Sequence, residues 1–308
     1  MGKVLVTGGA GFIGSHLVDA LLDAGEQVLV VDDLSTGDRT NLRREAEFIQ
    51  GDIADPKLIK FLAKDIDRCF HLAAIASVER ANREWLQTHR INAGGIVNLF
   101  QAIAAGERTI PVVYASSAAV YGNNSGDCNS EDDIPHPISA YGADKLACEL
   151  HGEVAARIHK IPNAGLRFFN VFGQRQNSSS PYSGVISAFG HRIAAGYPIT
   201  IFGDGYQSRD FVFVKDAVKA LIMASCALQT GKITSGVFNV CTGQGVRIKD
   251  LPEMIGDIVR RRPQIEYAPA RAGDIQQSLG SPQKARLQLN YAAEFSAKQG
   301  LELMFNSM

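Results

Sequence analysis

The first fifteen residues constrain this chain more than any other stretch. Lys3-Val4-Leu5-Val6-Thr7 is a short apolar, β-branched run, Gly8-Gly9-Ala10-Gly11-Phe12-Ile13-Gly14 follows directly, and Ser15 to Leu22 carries apolar residues at helical spacing. The pattern predicts a strand, a tight turn, and a helix whose N-terminus faces whatever binds above the strand. Gly8, Gly11 and Gly14 let the chain turn sharply, let a ligand approach the backbone and let the helix pack closely on the strand. Unpaired backbone N–H groups, with the positive end of the helix dipole, then form a seat for a pyrophosphate. An ordinary strand-to-helix turn can carry the same glycines, so the reading depends on context.

A second strand, Gln27 to Val31, ends in Asp32, where a dinucleotide-binding unit places an acid on the ribose hydroxyls. No Gly-Lys-Ser/Thr closes the glycine loop, which excludes a P-loop triphosphatase. No Arg or Lys follows directly on Asp32 to meet a 2′-phosphate, which favours NAD over NADP. Charges nearly cancel, 31 basic against 32 acidic, so nothing points to a nucleic-acid or membrane partner. The five scattered cysteines contain no Cys-x-x-Cys pair and the seven histidines form no ligand-spaced cluster with them, so no metal is expected. With neither a signal segment nor an apolar run of bilayer length, a cytoplasmic location is expected.

Further along, Phe48 to Ile53 reads as a strand ending in Asp52-Ile53, where Asp52 either caps the next helix or reaches an adenine. Arg68 to Leu72 is another strand, running into the small residues Ala73 and Ala74. Trp85 to Ala105 has helical apolar periodicity and carries Asn92, which is either solvated or turned toward a cofactor. Ile110 to Ala115 is a strand leading into Ser116-Ser117, and Ser139 to Lys160 is a helix on which Tyr141 and Lys145 share a face. Such a pair is equally at home on a solvated surface. Strands alternating with helices predict an α/β fold, a Rossmann-type doubly wound parallel sheet with ligands at the strand carboxyl ends. The expected division is a cofactor-binding domain over 1–168, joined by a returning strand near 237–241, and a smaller substrate-binding lobe over 169–308. From Arg271 onward a loop and a weakly amphipathic helix are expected.

In order along the chain, Thr7 to Gly14, Gly51-Asp52-Ile53, His71-Leu72-Ala73-Ala74, Ser116 to Gly122, Tyr141 to Lys145, Phe169-Asn170, Arg209-Asp210-Phe211 and Arg271-Ala272-Gly273-Asp274 together resemble the extended short-chain dehydrogenase/reductase superfamily. Within it they look like nucleotide-sugar 4-epimerases of the UDP-galactose 4-epimerase type. The resemblance implies bound NAD, held by Gly8, Gly11, Phe12, Ile13, Gly14, Asp32, Asp52, Ile53, Leu72, Ala73, Ala74 and Asn92. It further implies that Tyr141 is the general base, that Lys145 holds the nicotinamide ribose and favours the phenolate, and that Ser117 hydrogen-bonds the sugar. Ser116 is the serine expected to cap the following turn.

By the same likeness Asn170, Arg209, Arg271 and Asp274 contact a UDP-sugar, the two arginines neutralising its phosphates. The implied reaction oxidises the sugar at C4, turns the 4-keto sugar about its diphosphate and returns hydride to the opposite face. Ala119 and Val120 stand where related dehydratases carry Asp-Glu, and where decarboxylases carry a glutamate, so the acid for those reactions is missing. Asp144, placed before Lys145 where many relatives have Ser or Thr, puts a second carboxylate near the base. Four residues past Asp274 lies Ser278; a tyrosine at that place excludes N-acetylated sugars in the galactose 4-epimerases, so UDP-N-acetylglucosamine and UDP-N-acetylgalactosamine are the expected pair, with UDP-glucose and UDP-galactose as further candidates. Another nucleotide-sugar enzyme of the superfamily, such as a UDP-glucuronate 4-epimerase, or a non-catalytic NAD-binding regulator are the alternatives. A homodimer through the helices at Trp85 to Ala105 and Ser139 to Lys160 completes the implied picture.

Overall fold

The computed structural model describes residues 2–123, 128–176, 184–270 and 275–306. Its strands are β1 (Lys3–Thr7), β2 (Gln27–Asp32), β3 (Glu47–Gln50), β4 (Arg68–His71), β5 (Val112–Ser117), β6 (Asn163–Phe168), β7 (Asn170–Phe172), β8 (Ile199–Phe202), β9 (Ser208–Phe213), β10 (Ser235–Val240), β11 (Gly245–Arg247), β12 (Ile265–Ala268) and β13 (Gln277–Ser278). The helices are α1 (Phe12–Asp23), α2 (Pro56–Leu62), α3 (Val78–Arg83), α4 (Trp85–Ala104), α5 (Ala140–His159), α6 (Val185–Ala195), α7 (Val214–Gln229), α8 (Leu251–Val259), α9 (Gln283–Leu289) and α10 (Ala297–Phe305).

Seven strands form one parallel sheet in the order β3-β2-β1-β4-β5-β6-β10. The chain first builds outward from β1 to β3, then crosses to β4 on the other side of β1. This reversal opens a crevice at the carboxyl ends of β1 and β4, the place where open α/β sheets bind ligands. Helices cover both faces, which is why Val4-Leu5-Val6 and Val28 to Val31 are apolar without alternation. One face packs Leu17, Val18 and Leu21 of α1 with Leu221 and Ala224 of α7, and the other packs Ile96, Leu99 and Phe100 of α4 with Cys148 and Ala155 of α5.

Past β6 the chain alternates between two bodies of structure. α6 and α8 bury Phe189, Ile193, Leu251 and Ile255 in a third core beneath the smaller sheets, whereas α7, β10 and α9 pack on the seven-stranded one. The smaller sheets are a four-stranded one, β11-β9-β13 with β7 also on β9, and the pair β12-β8. The C-terminal stretch differs from the expected single weak helix: β13 is followed by α9 and then α10. A reciprocal Ser296–Gln299 capping box starts α10, and its Leu301, Met304 and Phe305 enter the third core. No helix among the described residues is long and apolar enough to cross a membrane.

Candidate active site

The turn after β1 is as tight as its glycines suggest. Gly8 has φ +70°, and a Cβ there would stand 2.6 Å from the Ala73 nitrogen, while one on Gly14 would drive into the Gly8 carbonyl. Helix α1 starts at Phe12 with Gly11 as its N-cap, no side-chain cap and no acidic residue in its first turn. Its N-terminal partial positive charge is therefore left for a ligand.

This turn forms one wall of a cleft of about 450 Å³. Gly8, Gly11, Phe12, Ile13, Gly14, Asp32, Asp52, Ile53, Leu72, Ala73, Ala74, Ser117, Tyr141 and Lys145 all line it. Asp32 ends β2, where its carboxylate oxygens accept the Ala10 N–H at 3.0 Å and the Leu34 N–H at 2.9 Å. Burial raises its pKa above the usual carboxylate value, and the two amides work against that rise. Asp52 accepts from Ala54 N and pairs with Arg90 at 2.7 Å. It does not cap α2, because Asp55, three residues on, takes the Lys57 N–H.

Asn92 is not the solvated side chain that was one of the two expectations. It is buried behind the cleft wall rather than lining it, and its amide both accepts from Ile75 N at 2.8 Å and donates to Ile75 O at 3.2 Å. It braces the 72–76 wall of the cleft through Ile75. Beneath that wall, Thr7 Oγ1 lies 2.9 Å from His71 Nδ1 and accepts the Ala73 N–H at 3.3 Å. Burial, reinforced by the Lys145 charge, lowers the His71 pKa to about 3, so the imidazole is neutral.

Helix α5 is started by Ser139, whose Oγ accepts the Gly142 N–H at 3.1 Å, and this fixes Tyr141 in its first turn. Lys145 is buried, donates to the Ala115 carbonyl at 2.9 Å and sits 5.7 Å from the Tyr141 ring centre. Ser117 ends β5 beside them. The capping role expected of Ser116 belongs to Ser117, whose Oγ accepts the Ala119 N–H at 3.1 Å; Ser116 turns inward instead and donates to Glu149. Asp144 faces away from the cleft and accepts from His89 of α4 at 2.7 Å.

Asn170, Arg209 and Ser278 lie outside the walls of this cleft, on the four-stranded sheet. Ser278 of β13 is the parallel ladder partner of Arg209 on β9, and Asn170 of β7 is paired to Phe211 of the same strand. Between them Asp210 is buried, accepting from Thr242 and Gly243 and so fixing the turn into β11. Arg271 and Asp274 fall outside the described residues. Thr7 and His71 stand in the motifs that carry the resemblance, but sequence reasoning gave neither a role in the site. It also missed Arg175, which lines the cleft in a left-handed conformation (φ +63°) and pairs with Asp19 of α1 at 2.7 Å.

Residues 4–241 match a family described as the NAD dependent epimerase/dehydratase family. The UDP-glucose 4-epimerase of Mycolicibacterium smegmatis is 35% identical over 306 residues, spanning 97% of this chain and 96% of the relative. Among solved structures, UDP-N-acetylglucosamine 4-epimerase from Methanobrevibacter ruminantium M1, in complex with UDP-N-acetylmuramic acid, matches with a TM-score of 0.93 at 35% identity, covering 100% of this chain and 99% of that one. UDP-glucose 4-epimerase from Thermotoga maritima, with UDP-glucose, matches with a TM-score of 0.91 at 35% identity over 98% and 97% of the two chains. Likeness that runs through nearly the whole chain in both sequence and fold places this protein in the NAD-dependent epimerase/dehydratase family.

Proposed function

We propose that this protein is an NAD-dependent 4-epimerase of UDP-hexoses that interconverts UDP-N-acetylglucosamine and UDP-N-acetylgalactosamine. The cleft suits a dinucleotide: Gly8 and Gly14 let the turn close on its own backbone where a Cβ would clash, α1 presents an uncapped N-terminus, and Asp32 lines the cleft at the end of β2, the place of the ribose-binding acid. NAD, when bound, supplies reversible acceptance of hydride from C4 of the sugar.

The chain's own part is to hold and move the proton. Tyr141 accepts the proton of the 4-hydroxyl and later returns it, Ser117 steadies that hydroxyl by a hydrogen bond, and Lys145 holds the nicotinamide ribose. Anchoring of Lys145 to the Ala115 carbonyl keeps its charge beside the tyrosine ring. Asn170, Arg209, Arg271 and Asp274 are assigned to the UDP-sugar, and the guanidinium groups suit its diphosphate.

Ser278 carries the choice of sugar. It is half-buried and stands directly across the ladder from Arg209, so the residue beside a diphosphate-binding arginine is small and bears a hydroxyl. That leaves room for an acetamido group and offers it a hydrogen bond. Incubation of the purified protein with UDP-N-acetylglucosamine, UDP-glucose and UDP-glucuronate separately, with chromatographic resolution of products, tests the proposal. The N-acetylated pair should turn over, and conversion of UDP-glucuronate alone would overturn the assignment.

A second copy of the chain is the proposed partner. Leu150, Val154 and Ile158 recur every fourth residue on α5 and are all exposed, as is Leu86 in the first turn of α4. Light scattering should find a dimer that Leu150→Glu splits; a monomeric parent protein contradicts this.

A further inference from the structure

Beneath the catalytic pair lies a buried polar relay for which the proposed chemistry has no direct use. Ser116 Oγ donates to Glu149 Oε1 at 2.5 Å. Arg167 grips the same carboxylate with Nε at 2.9 Å and Nη2 at 2.7 Å, and with Nη1 donates to the Tyr121 hydroxyl at 2.8 Å. Tyr121 in turn donates to Asn239 Oδ1 at 2.7 Å. Asn239 continues to the Asn129 carbonyl at 3.0 Å, and Asn129 bonds Leu279 O through both its backbone and its side-chain nitrogen, at 2.8 and 3.0 Å. All six of these side chains are less than a tenth exposed.

Tyr121 and Arg167 are in the protonation states the relay needs. Burial raises the Tyr121 pKa well above that of a free phenol, so it remains a donor to Asn239 while accepting from Arg167. Burial opposes the Arg167 charge, but its hydrogen bonds to Glu149 and their mutual attraction hold it protonated. A buried ion pair of this kind is poor evidence of added stability, since desolvation offsets the attraction. Its contribution lies in fixing geometry.

The two ends of the relay show what it fixes. Glu149 lies one turn beyond Lys145 on α5, and Ser116 precedes Ser117 on β5. With Lys145 bound to the Ala115 carbonyl, α5 is bolted to the end of β5 at two successive residues, and those bolts set where Ser117 stands relative to Tyr141. The far end holds Leu279, the neighbour of Ser278.

We infer that Glu149, acting through Ser116 and through Arg167–Tyr121–Asn239, is a positioning residue that holds the Ser117–Tyr141 pair and the Ser278 strand in one frame. The inference rests on the epimerase reading above. Proton transfer demands hydrogen-bond distance, and a misplacement of about 1 Å can cost on the order of 10²-fold in rate. Relaxing the frame therefore lowers kcat rather than binding.

Ser116→Ala removes one bolt and Tyr121→Phe cuts the relay at its middle, and both leave the Glu149–Arg167 pair intact. Each should lower kcat for the UDP-N-acetylhexosamine pair by about tenfold, with KM and bound NAD changed less than about twofold. The double variant should lose much less than the product of the single losses, because both changes act on one coupled unit. All assays are run well below each variant's melting temperature. Lowered melting temperatures with kcat unchanged would reduce the relay to packing, and fully multiplicative losses would show that its two arms are independent; either result overturns the inference. Wild-type protein that epimerises no UDP-sugar would instead sink the reaction assignment, so the two failures are distinguishable.

Discussion

Acid should weaken this fold through His71. The imidazole is 4% exposed at the end of β4, and burial holds its pKa at about 3 against 6.5 for the free side chain. Since the native pKa lies below the unfolded one, the unfolded chain takes up a proton that the native state refuses. The resulting stability is complete above about pH 6.5 and is lost progressively as the pH falls toward about 3. Each pH unit in that window costs about 1.4 kcal/mol, giving about 2 kcal/mol at pH 5 and about 5 kcal/mol across the whole window. Comparison with His71→Gln isolates this effect from every other titrating group. At pH 7 the variant should be the less stable, having lost packing and the Thr7 contact, and at pH 5 the gap should narrow by about 2 kcal/mol. Urea unfolding followed by circular dichroism at the two pH values measures it. A gap that stays constant between pH 7 and pH 5 refutes the reasoning.

Three further outcomes follow from the site. Tyr141→Phe should retain fold and bound NAD while epimerisation falls by about 10² to 10⁴ or more, and near-full turnover would remove Tyr141 from the mechanism. Asp32→Ser removes the carboxylate assigned to the ribose, so discrimination between NAD and NADP should shrink markedly in calorimetric titrations; wild type binding both equally would contradict the assignment. Ser278→Tyr should depress turnover of the N-acetylated pair selectively, by filling the space for an acetamido group, and an equal loss for UDP-glucose would move the sugar pocket elsewhere.

Features encoded by short spacing were legible in the sequence. Gly8, Gly11 and Gly14 announce the turn because their backbone requirement is local, Asp32 follows at the end of the next apolar run, and Tyr141 and Lys145 share a helical face by periodicity alone. Roles set by tertiary partners were not legible. Nothing in the sequence ties Asn92 to Ile75, turns Asp144 toward His89, or chooses Ser117 over Ser116 as the cap, since each depends on how α4 and α5 settle on the sheet. Glu149 and Arg167 look like ordinary surface charges in sequence, and only the packing of α5 on β6 buries them together. α10, by contrast, was legible and was not singled out: Ala297, Leu301, Met304 and Phe305 recur at helical spacing behind a local Ser296–Gln299 capping box.

The ladder partnership of Ser278 with Arg209 has an evolutionary consequence. β13 is two residues long and joins the sheet only along β9, whereas the cofactor cleft is walled entirely by residues numbered 175 and below. On the proposed reading of Ser278, substitutions in β13 would therefore alter what is recognised while leaving the seat for NAD in place. With Ser278 assigned to the sugar as proposed, sugar preference and cofactor binding would be inherited as separate traits, and a lineage would drift from one hexose to another through a few changes at this strand while the NAD seat stays under unchanged selection.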